Sequence, residues 1–96
     1  MIKAVMPVQI RIPAALRNAT DGQAVITVTP GTVKSALAEL RQRFPSLQER
    51  LLNVSGDIHP FVNLYVNEED IRFLKGVQTP VRDGDEVVII AAIAGG

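Results

Sequence analysis

The sequence predicts an α+β domain in which one amphipathic helix covers one face of a mixed sheet. Three observations carry that expectation. Val8, Ile10 and Ile12 alternate with Gln9 and Arg11, the period of a half-buried strand. Val33, Ala36, Leu37, Leu40 and Phe44 recur at helical spacing and form one apolar stripe. Glu86-Val87-Val88-Ile89-Ile90 is apolar on both faces, as expected of a strand interior to a sheet.

In chain order, Pro7 is expected at the first residue of the first strand, because a proline inside the ladder would remove a donor. Pro13-Ala14-Ala15-Leu16 leaves that strand, and Asn18-Ala19-Thr20-Asp21-Gly22 reads as a turn. Residues 24–28, rich in β-branched side chains, form a second strand and a hairpin with the first through a long connection. Pro30-Gly31-Thr32 is punctuation, with Thr32 the N-cap of the main helix. Glu39 and Arg43 are spaced for a weak ion pair on its outer side, and Pro45 ends it.

Ser46-Leu47-Gln48-Glu49 reads as a capping box opening a short second helix, with Leu47, Leu51 and Leu52 inward. Residues 53–60 form an irregular connection. Phe61-Val62-Asn63-Leu64-Tyr65-Val66-Asn67 is a third strand with Val62, Leu64 and Val66 on one face. Asn67-Glu68-Glu69-Asp70 is expected as a turn and Ile71-Arg72-Phe73 as a short fourth strand. Residues 76–80 are loop, and Asp83-Gly84-Asp85 is a tight turn that launches the last strand.

The bulk properties exclude several function classes. The 96 residues suit one small domain, and the apolar fraction of 47% with 21% charged residues is that of a globular protein. The formal net charge of zero removes the electrostatic argument for a nucleic acid or an anionic membrane as partner. No apolar run approaches the roughly 20 residues of a membrane span. The first residues carry one lysine and no apolar block long enough for a secretory signal, so a cytoplasmic location is expected. With no cysteine there is no thiolate nucleophile or thiolate metal ligand.

The most informative stretch is the end, Ile93-Ala94-Gly95-Gly96. Terminal glycines pack no side chain and lose the most backbone entropy when ordered, so a stable domain gains little from them. They are expected to form a mobile tail that presents the Gly96 carboxylate to an enzyme. Extended, residues 92–96 would reach roughly 16–18 Å beyond the last strand.

The order of elements together with the Gly95-Gly96 end resembles the β-grasp, ubiquitin-like fold. The expected form is a mixed five-stranded sheet with one main helix and a short second helix. It comprises residues 1–91, with residues 92–96 as a flexible tail. More narrowly, the chain resembles the MoaD/ThiS superfamily of sulfur carriers, which serve molybdopterin, thiamine and cysteine biosynthesis. Asp83-Gly84-Asp85-Glu86-Val87-Val88-Ile89-Ile90-Ala91-Ala92-Ile93-Ala94-Gly95-Gly96 resembles the family's turn, last strand and tail. Phe61-Val62-Asn63-Leu64-Tyr65-Val66-Asn67-Glu68-Glu69-Asp70-Ile71-Arg72-Phe73 is similar to the mycobacterial-type carrier that supplies sulfur for cysteine. The segment between Pro45 and Pro60 is longer than in the compact thiamine carriers, which argues against that branch; molybdopterin carriers end in a similar way.

The resemblance implies a protein co-substrate, not an enzyme. An E1-like adenylating enzyme would use ATP to activate the Gly96 carboxylate, and a sulfur donor would displace AMP to leave a thiocarboxylate. Ile93, Ala94 and Gly95 would thread into the partner. The acceptor would be a pyridoxal-phosphate-dependent cysteine synthase, followed by a metalloprotease that releases cysteine, or the large subunit of molybdopterin synthase. The chain itself would hold no metal and no stably bound cofactor. Two other classes begin from the same residues: a ubiquitin-like modifier joined through Gly96 to lysines, and a β-grasp binding module with an inert end.

Phe61, Tyr65, Arg72 and Phe73 are candidates for partner docking, since a carrier must show its enzymes an apolar patch. The plainer reading packs the aromatics in the core and leaves Arg72 to solubility. His59, the single histidine, lacks partners for a metal or general-base role and is expected as a solvated loop residue. Glu68-Glu69-Asp70 and Asp83, Asp85 and Glu86 read as turn acids rather than metal ligands. Gly31 and Thr32 read as a cap rather than a phosphate cradle, because the lysine and second glycine of a nucleotide loop are missing.

Overall fold

The computed structural model of the protein describes residues 6–53, 55 and 57–91. Strands β1 (Val8–Arg11), β2 (Val25–Val28), β4 (Val62–Val66), β5 (Glu69–Asp70) and β7 (Glu86–Ala91) form one sheet in the order β2-β1-β7-β4-β5. β1 and β7 run parallel and the other neighbours antiparallel, so the sheet is mixed, as expected. Helices α1 (Val33–Arg43) and α2 (Pro45–Leu51) cover one face.

The register explains the alternation read from the sequence. Ile10 lies opposite Ile26 on one side and Val87 on the other, and Val87 lies opposite Val66. These four buried side chains make one row across four strands, and Leu64 opposite Ile89 begins the next. Slipping any strand by one residue would turn its apolar set to water. Val33, Ala36 and Leu40 of α1 and Leu47 and Leu51 of α2 close the core from above, with Leu37, Phe44 and Leu52 packed at its margin.

Thr32 caps α1 as its spacing predicts. Its hydroxyl accepts from the Ser35 N–H at 3.2 Å, and the Thr32 N–H donates to Ser35 Oγ at 2.9 Å. A Cβ on Gly31 would collide with that Ser35 hydroxyl, so a larger residue before the cap would push the hydroxyl out of its capping position. The Glu39–Arg43 pair forms at 3.8 Å.

Four expectations are corrected. Ser46 does not open α2. Pro45 is its first helical residue and Phe44 its cap, because proline's fixed φ suits a first turn that needs no donor there. The fourth strand is not Ile71-Arg72-Phe73 but Glu69–Asp70, since Asn67 and Glu68 both take positive φ (49° and 75°) and close a two-residue hairpin. Ile71–Phe73 is instead a 3₁₀ turn capped by the Asp70 carboxylate, which accepts from the Arg72 N–H at 2.8 Å.

Residues 14–20, expected to be irregular and turn, form a 3₁₀ helix that ends at Asp21 with φ 54°. Lastly, the punctuation at Gly31–Thr32 (β3) pairs with Pro80–Val81 (β6), the last residue of the expected loop and the one after it, as a small second sheet. It ties the start of α1 to the segment that leads into β7. Among the described residues no helix is long and apolar enough to cross a membrane.

Ile89→Ala, at a site 2% exposed, is expected to lower the unfolding free energy by about 2–5 kcal/mol. A urea midpoint that falls at unchanged denaturant slope would show it.

Candidate functional site

β7 is the element that places the chain end. It pairs with β1 over residues 86–88 and with β4 over residues 87–91. Its start is pinned by side chains as well as by the ladder. Gly84 takes φ 79° in the turn, and the Asp85 carboxylate accepts from the Arg82 N–H at 2.8 Å and from Asn67 Nδ2 at 2.9 Å. The Glu86 N–H donates to Asn67 Oδ1 at 3.0 Å, while the Asn67 N–H donates to the Glu86 carbonyl at 2.9 Å. Arg11 Nε then pairs with Glu86 Oε2 at 2.6 Å across β1 and β7. These contacts at its start and the pairing of Ala91 with Val62 at its end set the point where the chain leaves the strand.

Residues 92–96 lie outside the described residues, and with them the expected reactive residue Gly96 and the threading residues Ile93, Ala94 and Gly95. The surroundings of Ala91 are described. A groove of about 320 Å³ opens there, lined by Leu16, Glu49, Arg50, His59, Phe61 and Ala91. Leu16 comes from the 3₁₀ helix, Glu49 and Arg50 from α2, and His59 and Phe61 from the connection into β4.

The docking candidates separate by position. Phe61 is 45% exposed and stands at the groove beside Ala91. Its ring stacks on His59, with centroids 4.8 Å apart and planes 15° apart. His59 is thus half-buried and held, not the solvated loop residue expected. Its backbone is fixed as well, the N–H donating to the Leu51 carbonyl at 2.9 Å and its carbonyl accepting from the Val62 N–H at 2.9 Å.

Tyr65 is half-buried on the sheet face away from the helices, opposite Val88. That face carries no helical layer: Ile90 is 46% exposed although β7 is interior to the sheet. Phe73 is 84% exposed and does not line the groove.

Arg72 is bound up locally. Its guanidinium holds the nearly covered Asp70 carboxylate with Nη2 2.6 Å from Oδ2 and Nε 3.1 Å from both oxygens. The Arg72 side-chain hydrogen bonds, and after them its backbone N–H, pull the Asp70 carboxyl below the usual carboxylate range against the opposing effect of burial. No cluster of His, Asp or Glu able to hold a metal occurs among the described residues. Sequence reasoning left Leu16 and Arg50 out of the site. Their place at Ala91 follows from how α2 and the 3₁₀ helix pack, which no local pattern encodes.

Residues 10–96 match the ThiS family. The chain is 41% identical over 93 residues to Sulfur carrier protein CysO of Mycobacterium tuberculosis, covering 95% of this chain and 100% of that one. It is 34% identical over 65 residues to Small archaeal modifier protein 3 of Haloferax volcanii, covering 68% and 70% of the two. A chain in the crystal structure of the Amycolatopsis orientalis BexX/CysO complex superposes with a TM-score of 0.84 at 36% identity, covering 93% of this chain and 99% of that one. The five-stranded mixed sheet and its helices are accordingly the β-grasp, ubiquitin-like fold.

The Asp70–Arg72 pair gives a pH dependence of known sign. A carboxyl whose folded value lies below its ordinary value of 3.8 stabilises the fold fully above that value, and the contribution is lost as pH falls through the lower, folded one. Asp70→Asn is expected to lower the urea midpoint near neutrality, with the gap to wild type closing as pH falls below 3.8 and through the lower, folded value.

Proposed function

Because this chain belongs to the ThiS family, we propose that it is a cytoplasmic sulfur carrier whose Gly96 carboxylate is adenylated and converted to a thiocarboxylate, most directly for cysteine synthesis. The observation that carries the reading is that the family match runs through residue 96 and so includes the Gly95-Gly96 end. The rigid seating of β7 supports it, since a reactive terminus is useful only if the body delivers it from a defined point.

A carboxylate is a poor electrophile at neutral pH. In the proposed route one carboxylate oxygen attacks the α-phosphorus of ATP on the adenylating enzyme, and pyrophosphate leaves. The acyl adenylate carries AMP as a good leaving group. A sulfide-level donor then attacks the carbonyl carbon, the bond to AMP breaks, and a thiocarboxylate remains. Its soft, ionised sulfur can attack an acceptor, such as an aminoacrylate held by a pyridoxal-phosphate enzyme. A metalloprotease would then free the product. Gly95 and Gly96, without Cβ atoms, suit a narrow channel. The carrier performs no catalysis of its own and binds no cofactor; ATP belongs to the activating enzyme. Delivery to the large subunit of molybdopterin synthase is the alternative within the same chemistry.

The kinship with Small archaeal modifier protein 3 favours a second reading, in which the activated Gly96 is joined to lysines. Isopeptide-linked Gly96 in a digest of native cells would mark that use. The carrier reading predicts intact protein heavier by the difference between sulfur and oxygen. It also predicts that deleting Gly96 abolishes ATP-dependent activation at an unchanged thermal midpoint. A deletion variant activated at the wild-type rate would defeat it.

A further inference from the structure

We propose that the groove at Ala91, walled by the Phe61–His59 stack, is where the body of the adenylating enzyme seats when it takes the tail; this rests on the carrier reading. An enzyme that encloses residues 92–96 has roughly 16–18 Å of extended chain to accommodate. To draw the last residue to the bottom of its channel, it must bring the channel mouth down to Ala91. Whatever rings Ala91 is then buried in the complex. On the groove side these neighbours are Leu16, Glu49, Arg50, His59 and Phe61.

Among these, Phe61 has the properties of an anchor. The residue is 45% exposed, and its ring stacks on a histidine whose backbone is bonded on both sides. An aromatic side chain ordered before docking loses little rotamer freedom on binding, and such residues dominate interface energetics. Phe73, though more exposed, does not line this groove. Tyr65 is half-buried against the sheet.

The partner surface is accordingly an apolar socket for one aromatic ring, set at the mouth of a channel. Glu49 and Arg50 carry opposite charges at the rim and leave no net attraction. The contact therefore depends on apolar burial and is nearly independent of salt.

The test uses the full chain with the ATP-dependent activating enzyme of the same cells, following pyrophosphate release. Phe61→Ala is expected to raise KM for the carrier about tenfold or more, with kcat near the wild-type value. His59→Ala, which removes the stack and keeps the ring, raises it by a smaller factor. Met6→Ala, at a still barer apolar site at the launching end of β7, leaves it unchanged. A footprint on the wild-type protein needs no variant: adding enzyme should broaden the amide signals of Leu16, Arg50, His59 and Phe61. Equal KM for wild type and folded Phe61→Ala, or a footprint that misses these residues, overturns the docking site while the carrier reading stands. If wild-type protein elicits no pyrophosphate release, the carrier reading falls and takes the docking site with it.

Discussion

The structure depends on β7 being bonded on both sides. Val87 and Ile89 fill the middle of the core from a strand whose neighbours, β1 parallel and β4 antiparallel, come from the start of the chain and from its second half. Neither neighbour could complete the sheet alone. β1 with β2 is a hairpin, and β4 with β5 is another, and isolated hairpins are marginal in water. β7 joins them into one sheet long enough to receive a helical layer. The element nearest the chain end is therefore also the last one that local unfolding would release, because opening it exposes both halves of the core.

This arrangement reconciles two demands that usually conflict. A terminus meant for chemistry must be accessible, whereas termini fray and lose definition. Here the strand that leads toward the chain end is the most heavily bonded in the sheet, and its launch is fixed by the Asn67 side chain and the Asp83-Gly84-Asp85 turn. The two positive-φ residues that close the β4–β5 hairpin belong to the same device, since Asn67 both turns the chain and grips Glu86. Turn geometry and strand placement are thus one set of contacts.

The two faces of the sheet differ in a way that bears on partners. One is sealed by α1 and α2. The other is open and mixed, with Arg11, Val88 and Tyr65 in one row and Ile90 half-exposed near the exit. The aromatic best placed for a partner that takes the tail is on neither expanse. Phe61 lies at the end of the sheet, where the connection into β4, α2 and the 3₁₀ helix meet Ala91. The Arg72–Asp70 pair serves the fold by capping a turn, which accounts for an exposed arginine without assigning it a partner.

Wherever a residue's environment is decided by its immediate neighbours, the sequence was sufficient. The alternation of Val8, Ile10 and Ile12, the stripe of α1, the Thr32 cap, the Gly84 turn and the apolar β7 all follow from period, propensity or φ preference, and each forms where expected. The likeness of the Gly95-Gly96 end to a carrier was also legible in residues alone. Tertiary structure decided what depends on two distant segments meeting. The pairing of Gly31 with Val81 and of Thr32 with Pro80 needs a partner strand from a distant part of the chain, and two-residue strands leave no periodic trace. The shift of the fourth strand to Glu69–Asp70 was set by Asn67 and Glu68 accepting left-handed backbone, a choice that pairing to β4 stabilises and that glutamate's own preference opposes. The surroundings of Ala91, assembled from residues 16, 49, 50, 59 and 61, exist only once packing has brought three remote stretches to one strand end.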